Sequence, residues 1–116
     1  MEQEKKETVR ILPVEDADLL KRLNQMYGTK ARFGLLYVEK REIKSTCLYQ
    51  LQKPHGQILN ISSQDPVVFG ALANAAIEEM KAAGMTDVRF APEVADELLH
   101  TLALPAEIKP RTYPIL

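Results

Sequence analysis

The chain has few of the features that mark specialised classes of protein. Among its 116 residues there are one cysteine, no tryptophan and only five glycines. The single cysteine, Cys47, excludes a disulfide within the chain and is typical of a reducing cytoplasm. Because no apolar run approaches the roughly 20 residues that a membrane-spanning helix needs, we expect a cytoplasmic protein without a membrane partner.

The charge balance excludes a second group of functions. The net charge is −1, so the composition gives no electrostatic attraction to nucleic acid or to an acidic membrane. His55, in a Pro-Gly turn, and His100, on a polar helix face, have no partners at ligand spacing, so no metal site is expected. Residues 1–8 are charged, which predicts a disordered tail. They lack the apolar stretch of a signal peptide, so we do not expect one here. The remaining residues, 9–116, predict a single domain.

Apolar periodicity and turn residues predict alternating strands and helices. The strands 33–39 and 43–51 flank a short polar turn and should form an antiparallel hairpin. Cys47 lies in the alternating run of the second of these strands, and we interpret it as a small buried residue. The predicted order is β-α-β-β-β-α-β-α-β, with strands 9–12, 33–39, 43–51, 57–62, 87–91 and 108–116, and helices between Glu15 and Gly28, at 66–83 and at 92–103.

The helix at 66–83 is the longest predicted element. Asp65 suits its N-cap, Pro66 its first position and Gly84 its end. The helix should cross over, in the right-handed sense, from one strand to a parallel neighbour. The apolar residues that should face the core are Leu19, Leu20, Leu23 and Met26 in the first helix, and Val68, Phe69, Leu72, Ala73, Ala76, Ile77 and Met80 in this one.

Four stretches, "VRILPVEDADLLKRL", "FGLLYVEKREIKSTCLYQLQ", "ILNISSQDPVVFGALANAAIEEMKAAGMTDVRF" and "VADELLHTLAL", carry a resemblance to a known family. In this order they resemble the opening strand and helix, first hairpin, cofactor-binding unit and late helix of the GNAT-type N-acetyltransferases. The resemblance covers residues 9 to 105. It implies an α+β (α/β) fold with a GNAT-like mixed central sheet and helices on both faces.

The resemblance also implies acetyl-CoA or CoA as the cofactor. In the family, the end of the strand before the long helix binds the pantetheine arm through backbone groups. The pyrophosphate sits on the N-terminus of that helix, where free N–H groups and the helix dipole attract anions. The cofactor-binding residues that follow by position are Leu59, Ile61, Ser63, Gln64, Val67, Val68, Phe69 and Gly70.

The sequence departs from the family at the residues that carry its chemistry. Val67 and Phe69 occupy positions where the family has small residues, so we expect their side chains to crowd a pyrophosphate. The N–H groups of Val67, Val68 and Phe69 should still be exposed, which would weaken anion binding without abolishing it. Leu99 stands where the family has its tyrosine acid, and the strand 57–62 has no carboxylate base. Tyr113 is interpreted as a surface residue of an edge strand.

Two functions remain open, and no catalytic residue is assigned. The first is a non-catalytic or weakly CoA-binding domain that interacts with a protein partner or with a second copy as a homodimer. The second is an acetyl-CoA-dependent N-acetyltransferase, in which an unidentified amine attacks the thioester directly. Loss of the small loop residues and of the tyrosine favours the first.

Overall fold

The computed structural model describes residues 8–115, so the predicted tail, apart from Thr8, and Leu116 lie outside the described residues. The predicted order of elements is confirmed. The elements are β1 (Val9–Pro13), α1 (Ala17–Tyr27), β2 (Phe33–Glu39), β3 (Glu42–Gln52), β4 (His55–Ile61), α2 (Pro66–Ala82), β5 (Asp87–Phe90), α3 (Asp96–Leu99) and β6 (Thr112–Pro114).

The strands form one mixed sheet in the order β1-β2-β3-β4-β5-β6. Every neighbouring pair is antiparallel except β4 and β5, which run parallel. A parallel pair cannot be joined by a tight turn, and α2 supplies the crossover between these two strands. The predicted crossover between parallel neighbours is therefore confirmed, while its right-handed sense stays a prediction. The crossover places the N-terminus of α2 just after the end of β4.

The two longer helices, α1 and α2, begin and end within two residues of their predicted bounds. Asp16 caps α1, and its carboxylate accepts hydrogen bonds from the N–H groups of Asp18 and Leu19. Asp65 caps α2 in the same way, with Val67 N–H 2.8 Å from its Oδ1. Gly28 and Gly84 follow the two helices with φ of 67° and 85°, in the left-handed region that glycine adopts at little cost.

The sheet has a core on each face, as the resemblance implies. The larger core lies between the sheet and α2, where Leu72, Ala76 and Met80 are fully buried. The smaller core lies under α1 and is built around Leu23 and Leu48. Because β3 is covered on both sides, five consecutive residues, 45 to 49, are buried instead of alternating.

Cys47 is confirmed as a buried residue. Met26, by contrast, is 67% exposed, so its predicted place in the core is wrong. Tyr27, four residues after Leu23, takes the inward position in the last turn of α1 and packs on the smaller core.

Two predicted element boundaries are also wrong. His55 and Gly56 lie in β4, because they pair with Gln52 and Leu51 across the sheet and shorten the preceding turn to two residues. The predicted helix 92–103 is only the single turn Asp96–Leu99. Arg111 donates hydrogen bonds to the carbonyls of Ala91 and Val94, which a longer helix would use for its own N–H groups.

The predicted strand 108–116 is likewise shorter than expected. β6 comprises three residues, Thr112–Pro114, because Arg111 before it has φ of 60° and turns the chain. The strand does lie at the edge of the sheet, as its prolines predict.

Gly56 gives a direct test of the packing between α2 and the sheet. A Cβ added at Gly56 would lie 2.9 Å from Met80 Cε and closer still to Sδ, inside a fully buried region. We expect Gly56→Ala to lower the free energy of unfolding by about 1–3 kcal/mol. Gly70→Ala is the control: its Cβ would meet only Leu102 Cδ2 at 4.0 Å, so this helical substitution should be neutral or stabilising. Equal melting temperatures for the two variants would contradict this packing.

Burial of Cys47 gives a second test. Burial raises the pKa of its thiol, so above about pH 8.5 the unfolded thiol ionises while the folded one stays protonated. The free energy of unfolding should therefore fall by about 1.4 kcal/mol per pH unit above that point. Burial also raises the pKa of Tyr49, to about 12. Because an unfolded tyrosine ionises only near pH 10, Tyr49 contributes little to the loss of stability below that pH.

Denaturant unfolding at pH 7, 8.5 and 10 measures the effect of Cys47. Cys47→Ala should remove this part of the decline, whatever its own effect on stability at pH 7. The same pH profile in both proteins would count against ionisation of the buried thiol.

Candidate functional site

The parallel strands β4 and β5 separate at one end, which leaves an opening in the sheet. Their register ends at Ile58 and Phe90, and a last hydrogen bond joins Ala91 N–H to the carbonyl of Ile58 at 2.9 Å. β4 continues for three further residues, 59 to 61, alongside β3 alone. Within residues 8–115, this stretch of β4 therefore has a backbone edge without a strand partner.

A β-bulge shapes the same stretch of β4. Leu48 pairs with Asn60, but Tyr49 pairs with Ile58, so Leu59 is an extra residue in β4. Bulges of this kind disrupt pairing and re-aim side chains, and they are enriched next to binding sites. Here Leu59 packs against the smaller core under α1, and Ile61 is buried in the larger core under α2.

Arg111 fixes the path of the chain on the other side of the opening. Its Nε donates to the carbonyl of Phe90 at 3.2 Å, and its Nη2 donates to the carbonyls of Ala91 and Val94. Its Nη1 donates to Asp96 Oδ1 at 2.6 Å. One guanidinium thus donates to three backbone carbonyls of the same segment, of which that of Ala91 also accepts from Val94 N–H at 3.0 Å. The sequence gives no local signal for this role, because the contact spans some 20 residues.

The N-terminus of α2 lies beyond the end of β4. Ser63 Oγ accepts from Asp65 N–H at 3.0 Å. Asp65 in turn accepts two hydrogen bonds from the helix. Its carboxylate accepts from Val67 N–H and its backbone carbonyl accepts from Phe69 N–H, both at 2.8 Å. Of the three N–H groups predicted to be exposed, only that of Val68 lacks a partner within residues 8–115. The prediction of exposed N–H groups is therefore wrong for Val67 and Phe69.

Of the two side chains predicted to crowd a pyrophosphate, that of Phe69 points away from the helix start. Phe69 is 1% exposed, because its spacing to Leu72 and Ala73 places it on the core face of α2. Val67 is 75% exposed and lies outside the core. Crowding by Phe69 is therefore wrong, whereas crowding by Val67 stays a prediction. The Asp65 carboxylate is a further group that opposes a bound anion. This carboxylate adds a negative charge at the helix start and already accepts the hydrogen bond of Val67 N–H.

The remaining predicted cofactor-binding residues lie around the same two features. Leu59 and Ile61 belong to the free stretch of β4. Ser63 and Gln64 lie in the short loop before α2, and Gln64 is exposed. Val68 packs on the edge of the larger core, and a Cβ at Gly70 would meet only Leu102 Cδ2, at 4.0 Å. The fold thus brings all eight residues, Leu59, Ile61, Ser63, Gln64, Val67, Val68, Phe69 and Gly70, to the end of β4 and the start of α2.

Two adjoining cavities lie beside the opening. The first, of about 330 Å³, reaches from the C-terminal end of α1 to Asn60, Ala91 and Glu93. The second, of about 310 Å³, lies along β5 and includes Arg89 in its wall. The residues common to both cavities are Gln57, Leu59 and Ala91.

Neither the position of the family's tyrosine acid, Leu99, nor Tyr113 places a proton donor next to the opening. Leu99 is buried in the larger core. Tyr113 lies in β6, edge-on to Phe90, with its hydroxyl 3.5 Å from Glu107 Oε2. Partial burial, and then Glu107, raise the pKa of Tyr113, which makes its phenol a weaker acid. Tyr113 is partly buried, so the predicted surface position holds only in part.

Of the two histidines, His100 is exposed just after α3, as predicted. The prediction for His55 is wrong, because it lies in β4 and is bonded on both sides. Its Nδ1 is 2.9 Å from Asp87 Oδ1, and its Nε2 is 2.9 Å from Arg89 Nη2. Sequence reasoning missed this cluster because β4 and β5, which carry it, meet only through the crossover.

Residues 8–115 contain neither a metal-binding cluster nor a membrane-spanning helix. No group of three or more His, Cys, Asp or Glu side chains is placed to hold a metal ion there. In the same range, no helix is both long and apolar enough to cross a membrane.

Comparison with known proteins identifies the fold. A crystal structure from Exiguobacterium sp. 255-15, named a "putative acetyltransferase", has a TM-score of 0.60 at 12% identity and covers 92% of this chain and 91% of its own. The solution structure of YhhK from E. coli, named a "putative N-acetyl transferase" and bound to coenzyme A, has a TM-score of 0.55 at 9% identity and covers 92% and 97%. No family model and no curated protein matches the chain.

The chain therefore has the fold of the GNAT-type acetyltransferases, and the predicted mixed sheet is confirmed. At this level of identity, the likeness establishes the architecture and not the activity.

Arg111→Lys tests how the opening is held. Lysine keeps the charge but cannot donate to three carbonyls and a carboxylate at once, so we expect a loss of about 2–3 kcal/mol in the free energy of unfolding. Amide hydrogen exchange of residues 94–99 should accelerate more than that of β2 and β3. Arg22→Lys, at an exposed position of α1, is the matched control and should change neither quantity. Uniform acceleration across the sheet would contradict a local role.

Proposed function

We propose that the protein binds a CoA thioester mainly through its pantetheine arm, at the opening between β4 and β5. The observation that carries this proposal is the end of pairing at Ile58 and Phe90, beyond which β4 continues through its bulge at Leu59 without a partner on the β5 side. An extended amide-bearing chain can bond to such an edge as a strand would. The pantetheine arm has this chemistry, with two amides in series.

The phosphates of CoA contribute little to binding in this proposal. The N-terminus of α2 attracts anions in general. Here, however, Asp65 brings a carboxylate to the same place and occupies the N–H group of Val67. A diphosphate there would have to displace an internal partner while facing a like charge. The residues proposed to contact CoA are those of the free β4 stretch and the α2 start, with Val68 offering its N–H group.

Acyl transfer to an amine is the second candidate, and the cavity of about 330 Å³ beside the opening favours it. An amine held there could attack the thioester carbonyl while a backbone N–H of β4 stabilises the oxyanion. Without an acid for the leaving thiolate, transfer would be slow. A non-catalytic binding role, with a protein partner or a second copy, stays a prediction of the sequence.

Titration calorimetry with acetyl-CoA, CoA and pantetheine tests the main proposal. We expect all three to bind, with pantetheine retaining most of the affinity because the phosphates add little. If none of the three binds at millimolar concentration, the proposal fails. If CoA binds and pantetheine does not, the phosphates carry the affinity and the proposed mode is wrong.

Asp65→Asn tests the role of the carboxylate. Asparagine caps helices as well as aspartate does, so the helix should persist while the opposing charge is removed. We expect CoA to bind about 5- to 10-fold more tightly, consistent with about 1 kcal/mol for one unit charge near the surface. Pantetheine affinity should not change.

Glu78→Gln is the control for Asp65→Asn, because it changes the net charge equally at an exposed position on the same helix. Both ligands should bind this variant as they bind the parent protein. If Asp65→Asn and Glu78→Gln alter CoA affinity equally, the carboxylate at the helix start has no special role.

A further inference from the structure

The two cavities beside the opening form one groove along β4, which we call the acceptor groove. Gln57, Leu59 and Ala91 belong to both cavities and form its floor between the two ends. Asn60 and Glu93 line one end, next to the opening. Arg89 lines the other end, farther down β5. The two ends differ in charge and hydrogen-bonding chemistry.

The Arg89 end presents a cation held in a fixed orientation. Arginine can only donate, so His55 Nε2 must accept from Arg89 Nη2, and the imidazole proton must lie on Nδ1, facing Asp87. The chain Asp87–His55–Arg89 therefore orients the guanidinium from behind. Asp87 Oδ1 is 4.0 Å from Arg89 Nε, and that Nε is buried without a partner.

Arg89 thus retains donors that the protein does not use. Within residues 8–115, its Nη1 has no hydrogen-bond partner. The side chain is 36% exposed, so solvent or a ligand can reach it. A planar, oriented guanidinium with free donors is the usual partner of a carboxylate.

The Asn60 end presents hydrogen-bond acceptors. Asn60 Oδ1 is buried and lacks a partner among the described residues, which is costly unless a ligand donor reaches it. Asn60 follows the extra residue of the bulge, so its position depends on that irregularity. Glu93 adds a carboxylate to the same end, while the exposed Lys30 also lines this cavity. A buried amide oxygen beside a carboxylate suits the N–H groups of an amine.

We propose that the acceptor groove binds a compound that carries an amine and a carboxylate several bonds apart. The carboxylate lies on Arg89, and the amine nitrogen lies at Asn60 and Glu93, next to the opening. Arg89 pairs across the sheet with Gln57, three residues before Asn60. At about 3.3 Å per residue the two ends are roughly 10 Å apart along β4, which favours a long ω-amino acid over an α-amino acid.

The identity of this compound as an acyl acceptor rests on the proposed CoA site. The ammonium group first loses one proton to Glu93 or water. Its nitrogen then attacks the thioester carbonyl, the N–C bond forms, the C–S bond breaks and CoA leaves as a thiolate. The second proton of the nitrogen passes to solvent, and the thiolate takes up a proton in turn. The products are the N-acyl amino acid and CoA.

Direct binding of 6-aminohexanoate, hexylamine and hexanoate, without CoA, tests the groove. The readouts are the NMR signals of the Arg89 Nε–H and the Asn60 side-chain amide. We expect 6-aminohexanoate to bind at least about 10-fold more tightly than either single-ended compound, as one charge-assisted bond implies. It should shift both signals, whereas hexylamine should shift only that of Asn60. Equal affinity for the three compounds, or an unchanged Arg89 signal, overturns the proposal.

Variants separate a specific contact from general charge. Arg89→Gln should reduce the binding of 6-aminohexanoate to the level of hexylamine, and Arg22→Gln should have no effect. Arg89→Lys keeps the charge but not the planar geometry, and it replaces the glutamine variant if that variant does not fold. Its affinity for 6-aminohexanoate should lie between that of the parent protein and the affinity for hexylamine. Unchanged binding in a folded Arg89 variant overturns the proposal.

A last measurement separates this proposal from the one on which it rests. With acetyl-CoA present, CoA release is followed for ω-amino acids of increasing length, from glycine to 6-aminohexanoate. Release that increases with length supports the acceptor role, and a maximum at glycine overturns it. If 6-aminohexanoate binds while CoA does not, the proposed ligand of the acceptor groove is supported and the proposed CoA site is wrong.

Discussion

The structure of the candidate site depends on where two parallel strands stop pairing. β4 and β5 are joined up to Ile58 and Phe90, and beyond that point each chain must satisfy its backbone groups in another way. On the β5 side, the Arg111 guanidinium supplies the donors. On the β4 side, within residues 8–115, the three residues from Leu59 to Ile61 have no equivalent partner. The opening therefore exists because one strand is held away and the other is left with a bare edge.

Much of the architecture could be predicted from the sequence because local signals agreed with the global fold. Asp65 and Pro66 before an apolar run, and Gly84 after it, set the bounds of α2 to within a residue or two. The two turns of the β2–β3–β4 meander fixed the antiparallel order. These signals act over a few residues, so a single sequence is sufficient to identify them.

The site was harder to predict, for reasons that particular residues show. Phe69 occupies a position that a family pattern places beside phosphate, but helix geometry turns its side chain into the core. The Asp87–His55–Arg89 cluster joins two strands that are about 30 residues apart in sequence and meet only through the crossover. Arg111 acts on a segment some 20 residues earlier. None of these contacts has a periodicity or spacing that a sequence displays.

Residues close together in β4 pack on opposite faces of the sheet. The extra residue of the β4 bulge, Leu59, packs on the smaller core, while its neighbour Ile61 packs on the larger one. Asn60 lies between them with an unpartnered oxygen. This short stretch of β4 thus contacts both cores and also lines the groove, next to the free backbone edge.

The contact made by Arg111 has a consequence for the order in which the protein is completed. During synthesis, β4, α2 and β5 leave the ribosome before Arg111 does, and a nascent chain folds from its N-terminal side. The carbonyls of the segment after Phe90 therefore gain their last donor only when this later part of the chain docks. The contact thus links the final geometry of the opening to a part of the chain that is synthesised after both strands.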